Sequence, residues 1–208
     1  GYVNYNAWEM QRALVYFTKG LRCYRNTGDR EGEAKSLNNI GELYNQLGEY
    51  FSALRYLEQA LVIRREVADR AGEAHTHNNL ATVYYSQGRY EKALTSYELA
   101  LSINRDLQDR ESEGANLSNI GAAWAAMGRH ELALENLEQS LAIALEMEQG
   151  AELGRRLSNI SVTYSILGRV EEALRTVQQA LANARELVNP QDEATALHNL
   201  SGVYIIEG

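Results

Sequence analysis

One 40-residue period runs through this 208-residue chain without a gap. The stretch from Leu37 to Arg70 reads LNNIGELYNQLGEYFSALRYLEQALVIRREVADR, and one period further on the same wording returns. Asn39, Asn79, Asn119, Asn159 and Asn199 fall in step, as do Gly48, Gly88, Gly128, Gly168 and Gly208. Ala53, Ala93, Ala133 and Ala173 follow beside them. A fixed period in the range of ~20–50 residues marks units that bury each other's apolar faces. The expectation is a single array over residues 1–208: a partial unit 1–33, units 34–73, 74–113, 114–153 and 154–193, and a partial unit 194–208. Such an array holds other molecules, and its period does not name them.

Within each unit two apolar patterns of helical spacing flank the glycine. Leu37, Ile40, Gly41, Tyr44 and Leu47 lie on the first; Tyr50, Ala53, Leu54, Leu57, Ala60, Leu61 and Ile63 lie on the second. Gly48 stops the first helix and turns the chain. At the links between units Asp29, Asp69 and Asp109 stand where a helix cap is needed, and Asn189-Pro190 suits a helix start. Glu31, Glu33, Glu73 and Glu113 then favour the positive end of the helix dipole. The fold class is all-α, an antiparallel helix pair per unit. In residues 1–33 Ala13, Leu14, Phe17 and Leu21 match the second helix, while Trp8 stands where later units carry glycine.

Bulk properties narrow the function. A net charge of −8 argues against a nucleic-acid partner, which needs clustered Lys and Arg. No apolar run approaches the ~20 residues of a membrane helix, so no membrane partner is expected. The single cysteine suits a reducing compartment, and a cytoplasmic location is expected. The chain opens at Gly1, partway through a unit, and reads as a fragment of a longer protein.

With Leu37, Ile40 and Tyr44 facing the core, the opposite face of the first helix carries Lys35, Asn38, Glu42, Asn45 and Gln46, with Asn39 at its border. The next rungs are His75, Asn78, Thr82, Tyr85 and Ser86 with Asn79 at the border, then Ala115, Ser118, Ala122, Ala125 and Ala126 with Asn119. Arg155, Ser158, Val162, Ser165 and Ile166 with Asn159 follow, and last come Thr195, His198, Ile205 and Ile206. These faces are expected to line up as one concave strip, amide-rich at first and apolar at the end. A bipartite ligand follows, polar groups at the early rungs and apolar side chains at the late ones. Ile205 and Ile206 have a second reading, as surface packed against a further unit. The asparagine ladder also has two readings: amides that bond a peptide backbone, or amides that fix the angle between units. Its persistence beside varying neighbours favours the second.

No catalytic constellation stands out: there is no HExxH, CxxC, phosphate-binding glycine loop or GxSxG, and no cofactor or metal is expected. Cys23 occupies the slot of Ile63, Ile103 and Ile143 and is expected to be a buried core thiol. His75 and His77 point to different faces of one helix, with His77 in the slot of Leu37. Tyr44, Tyr84, Trp124, Tyr164 and Tyr204 share one slot and are expected to form a packing column. Arg64-Arg65-Glu66 and Glu171-Glu172 read as solvated outer faces.

The wording Leu37, Ile40-Gly41, Tyr44, Gly48, Tyr50, Ala53, Leu57, Ala60 resembles the tetratricopeptide repeat over nearly the whole chain. The resemblance implies a right-handed α-solenoid in which Gly41, Ala81, Gly121, Ser161 and Ser201 sit at the closest approach of the two helices. The longer period, LNNIG at 37–41 and the ALxIxR wording at 60–64 are similar to kinesin light chains, spindle-orientation adaptors and the sensor arms of bacterial signalling proteins. Those relatives imply a non-enzymatic scaffold that holds a peptide or protein segment in its groove. The alternative is a regulatory or oligomerisation arm that self-associates or docks on an effector domain of its own protein, such as an ATPase, a caspase-like protease or a transcription regulator. The chaperone-tail clamp of some family members is absent, since its sites hold Asn38 and Glu42, Asn78 and Thr82, then Ser118 and Ala122.

Overall fold

A computed structural model describes the backbone of residues 2–148 and 150–207, and their side chains except at 2–7, 151, 206 and 207. The described residues form ten helices and no strand. They are α1 (Tyr2–Thr27), α2 (Arg30–Gln46), α3 (Tyr50–Glu66), α4 (Arg70–Ser86), α5 (Tyr90–Asp106), α6 (Arg110–Ala126), α7 (His130–Glu146), α8 (Gly150–Ile166), α9 (Val170–Glu186) and α10 (Pro190–Glu207). The chain divides into two compact units, Gly1–Leu107 with α1–α5 and Gln108–Gly208 with α6–α10. Within each, consecutive helices pair and pack, α2 on α3 and α4 on α5 in the first, α6 on α7 and α8 on α9 in the second. None of these helices is long and apolar enough to cross a membrane, among the described residues.

The repeat glycines do what their spacing implies. Gly48, Gly88, Gly128 and Gly168 take φ of 71–75°, the left-handed region that ends a helix without a Cβ clash. Asp29 accepts from the Gly32 backbone N–H at 2.9 Å, Asp69 from Gly72 at 2.8 Å and Asp109 from Ser112 at 3.1 Å. Asn189 takes over that role ahead of Pro190, its Oδ1 accepting from Asp192 N–H at 3.2 Å. Gly41 is required by close approach: a Cβ there would stand 2.6 Å from Leu57 Cγ and 3.2 Å from the Ala53 carbonyl oxygen. Gly121 meets Leu137 and Ala133 in the same way.

One reading of the first helix needs correction. α1 runs through Trp8 without a break, because no glycine is there to stop it. Among the described residues its main packing partner is α2. Cys23, expected in the core, lies off that face and is exposed. Its counterpart Ile63 is buried with Ala34, Leu37 and Ile40 of α2, the leading helix of its own unit. The aromatic column is also shallower than expected. Tyr44, Tyr84, Trp124 and Tyr164 are half-buried and Tyr204 is exposed.

Candidate functional site

The leading helices of unit 1, α2 and α4, border a cleft of about 720 Å³. It gathers Lys35, Asn38, Asn39 and His75, four of the groove residues expected from sequence, with Glu31, Arg64, Asp69 and Gly72. Lys35 and His75 are exposed and their side chains are open to an incoming group. Asn38 is not: it is 2% exposed because α4 covers the border of the face that a single helical wheel leaves open. Its Nδ2 lies 3.4 Å from His75 Nδ1, and its Oδ1 accepts from Asn79 Nδ2 at 3.3 Å. Thus the ladder residue Asn79 reaches back to the preceding leading helix and stitches the two together.

The floor of this cleft corrects another reading. Arg64, taken from sequence as part of a solvated face, is 5% exposed. Its Nη1 donates to Asp69 across the start of α4, while its Nε has no partner. Gly72 makes the room, since a Cβ there would lie 2.5 Å from Arg64 Nε. The sequence did carry a signal: Arg64 shares its slot with Asn104, Ala144 and Ala184, which are small or polar rather than outward-facing charges.

In unit 2 a smaller cleft of about 190 Å³ lies between α8 and α10, further toward the C-terminal ends of its leading helices than the first cleft is on α2 and α4. It gathers Val162, Ser165 and His198 with Ile166, Asn199 and Gly202. Val162, Ile166 and His198 are exposed, so this cleft offers mainly apolar surface. Ser158 is buried, and its carbonyl oxygen receives Asn199 Nδ2 at 3.5 Å, a second instance of the ladder bonding backward. Arg155 is exposed and pairs with Glu152, Asn159 is exposed, and Ile205 is 82% exposed. The side chain of Ile206 lies outside the described residues.

The remaining candidates stand outside these clefts. Glu42 is exposed and Asn45 is half-buried. On α4, Thr82 donates to its own helix at the Asn78 carbonyl and lies 3.2 Å from the buried Tyr97 hydroxyl. Burial pushes that Tyr97 hydroxyl above its ordinary pKa. Tyr85 packs edge-on against Tyr90 at 5.3 Å. Asn78, Ser118, Asn119 and Ala122 are half-buried.

Charge recognition inside the stack was also missed. Glu33 and Glu73, read as helix-dipole residues, are buried. Arg25 and Arg30 hold the first at 2.8 and 2.6 Å; Arg65 and Arg70 hold the second at 2.8 and 2.7 Å. Burial alone would raise these carboxyls, but the arginine hydrogen bonds outweigh it and keep both below their ordinary range. His77, buried beside them, is pushed down by desolvation and then by the Arg65 charge. No group of three or more metal-ligating side chains occurs among the described residues.

The tetratricopeptide repeat model matches residues 9–66, 32–106, 72–146 and 112–186, four overlapping spans that together cover most of the chain. The chain belongs to the tetratricopeptide repeat family. Solved structures carry the same fold. BtubC (BKLC) from P. vanneervenii is 20% identical with a TM-score of 0.86, over 96% of this chain and 84% of that one. A putative kinesin light chain from Podosopora anserina is 22% identical with a TM-score of 0.72, over 84% and 86%. A Rap protein complexed with Competence and Sporulation Factor is 17% identical with a TM-score of 0.79, over 99% of this chain and 61% of that one. At such identities the likeness is one of fold. No curated protein sequence matches the chain.

Proposed function

We propose that this tetratricopeptide chain is a binding scaffold whose leading helices hold a peptide or protein segment, without chemistry of its own. The observation that carries the reading is the cleft between α2 and α4. It is roomy, its exposed Lys35 and His75 stand over a polar floor, and its walls are fixed by the Asn38–Asn79 contact. The apolar cleft between α8 and α10 supports a second anchoring point of different character. The Rap relative crystallised with Competence and Sporulation Factor supports a partner-holding use of this fold. Taken separately, the first cleft suits polar groups of an extended segment and the second suits apolar side chains.

The test is a display selection of random peptides on the 208-residue chain, followed by hydrogen exchange with and without a selected peptide. The reading expects protection on α2 and α4 or on α8 and α10. Protection confined to α3, α5, α7 and α9 would contradict it.

A further inference from the structure

We propose that the outward face of α1 docks on the outward face of α7 in a second copy of this chain. The surface lies apart from both clefts and does not depend on the groove reading. α1 carries Arg12, Lys19, Arg22 and Arg25 against Glu9 alone, although the whole chain is at −8. On its outward stripe Trp8, Arg12, Val15, Lys19 and Arg22 are exposed, and Tyr16 is exposed at its border. Trp8 is 53%, Val15 51% and Tyr16 63% exposed, a large apolar area for a solvated helix. The Arg12 guanidinium lies 4.6 Å over the Trp8 ring and the Lys19 ammonium 5.9 Å from the Tyr16 ring centre, so cations and aromatics form one continuous strip.

α7 carries the complementary strip. α7 contains Glu131, Glu135, Glu138 and Glu146 and no lysine or arginine, whereas α3, α5 and α9 each mix both signs. Glu131, Glu135, Glu138, Ala142 and Leu145 fall on one exposed face, with Leu145 59% exposed. Glu138 is engaged by the Tyr164 hydroxyl and Glu146 by Arg110, which leaves Glu131 and Glu135 as the pair best placed for a partner. Trp8 to Arg22 and Glu131 to Leu145 span the same number of residues, about 21 Å of helix. Laid antiparallel, Trp8 meets Leu145, Arg12 comes beside Ala142 and Glu138, Lys19 meets Glu135, and Arg22 meets Glu131. Apolar groups then face each other at one end and opposite charges at the other. Exposed ion pairs are weak singly, so the contact is modest and sensitive to salt.

Sedimentation equilibrium of the 208-residue chain tests this. The wild type is expected to gain mass with concentration at low salt, with association at least about tenfold weaker at ~0.5 M salt. The exposed-site variants K19E/R22E and E131K/E135K, checked for helicity by circular dichroism, are each expected to stay monomeric. Their equimolar mixture regains association, because each supplies the sign the other now requires. Trp8→Ser, which leaves every charge in place, is expected to weaken association by roughly tenfold. A wild type that stays monomeric, variants that associate like wild type, or a mixture that stays monomeric overturns the proposal. A monomeric wild type that sediments with anionic phospholipid vesicles through Lys19 and Arg22 overturns it in favour of a membrane surface.

Discussion

The joint between α3 and α4 in unit 1 and the joint between α7 and α8 in unit 2 are the same place in the repeat, built from opposite chemistry. At the first, buried Glu73 is gripped by Arg65 and Arg70. At the second, Leu145 stands for Arg65, Leu153 for Glu73 and Gly150 for Arg70. There Leu141, Leu145, Leu153 and Leu157 line an apolar cleft of about 370 Å³. The lesson is that the exchange is concerted. A carboxylate kept without its arginines would be desolvated and unpaired, whereas leucine on leucine buries no charge.

Breaking that match in unit 2 has the largest expected effect. Leu153→Glu introduces a half-buried carboxylate with no arginine at position 145 or 150, and is expected to cost about 2–3 kcal/mol in urea unfolding. The double variant L145R/L153E recovers at least half of that loss. A single variant as stable as the wild type would mean the leucine joint was never apolar in energetic terms.

In unit 1, Glu73→Gln removes the charge and keeps the shape, and about 1 kcal/mol is expected because Arg65 and Arg70 are half exposed. The sign of the pH effect follows from the lowered pKa of Glu73. A carboxyl lower in the folded than the unfolded state stabilises fully above the unfolded value and loses that contribution as pH falls through the folded one. Thermal melts from pH 7 down to ~3 are expected to show the wild type losing more stability than Glu73→Gln. Parallel curves would contradict the bracket.

The comparison sharpens at the links. Gly28 opens the series with φ 72°, but Ala68, Gln108, Glu148 and Val188 adopt φ of 53–57° without being glycine. Unit 2 holds three of these, including β-branched Val188, and unit 1 holds one. Val188→Gly is expected to stabilise the chain by up to ~1 kcal/mol, after the entropy of the added glycine is subtracted. Ala68→Gly should give less. The smallest effect concerns the caps: Asp109→Ala, which removes the 3.1 Å bond to Ser112, is expected to cost ~0.5–1 kcal/mol.

Register explains what was legible in the sequence. Helix pairs, the Gly48-type turns, the Asp69-type caps and the tight Gly41 contact all depend on local spacing, which the repeat displays several times over. The misses depend on neighbours. Cys23 is exposed because α1 packs mainly on α2 and Cys23 lies off that face, which the slot of Ile63 cannot reveal. Arg64 is buried because Gly72, eight residues on, leaves it space. Asn38 faces the groove by helical angle, yet the adjacent helix covers it. The left-handed conformation at Ala68, Gln108, Glu148 and Val188 had no glycine to announce it.

The central claim is that leading helices, not outward ones, hold the partner. Fluorescence anisotropy of one display-selected peptide against the wild type and the exposed-site variant Lys35→Glu tests it most directly, because this change touches neither the Asn38–His75 nor the Asn38–Asn79 contact. The account predicts at least about tenfold weaker binding, ~1.4 kcal/mol, at unchanged melting temperature. Unchanged affinity in that variant, together with loss on substituting Phe51 and Val62 of the outward face of α3, would contradict it.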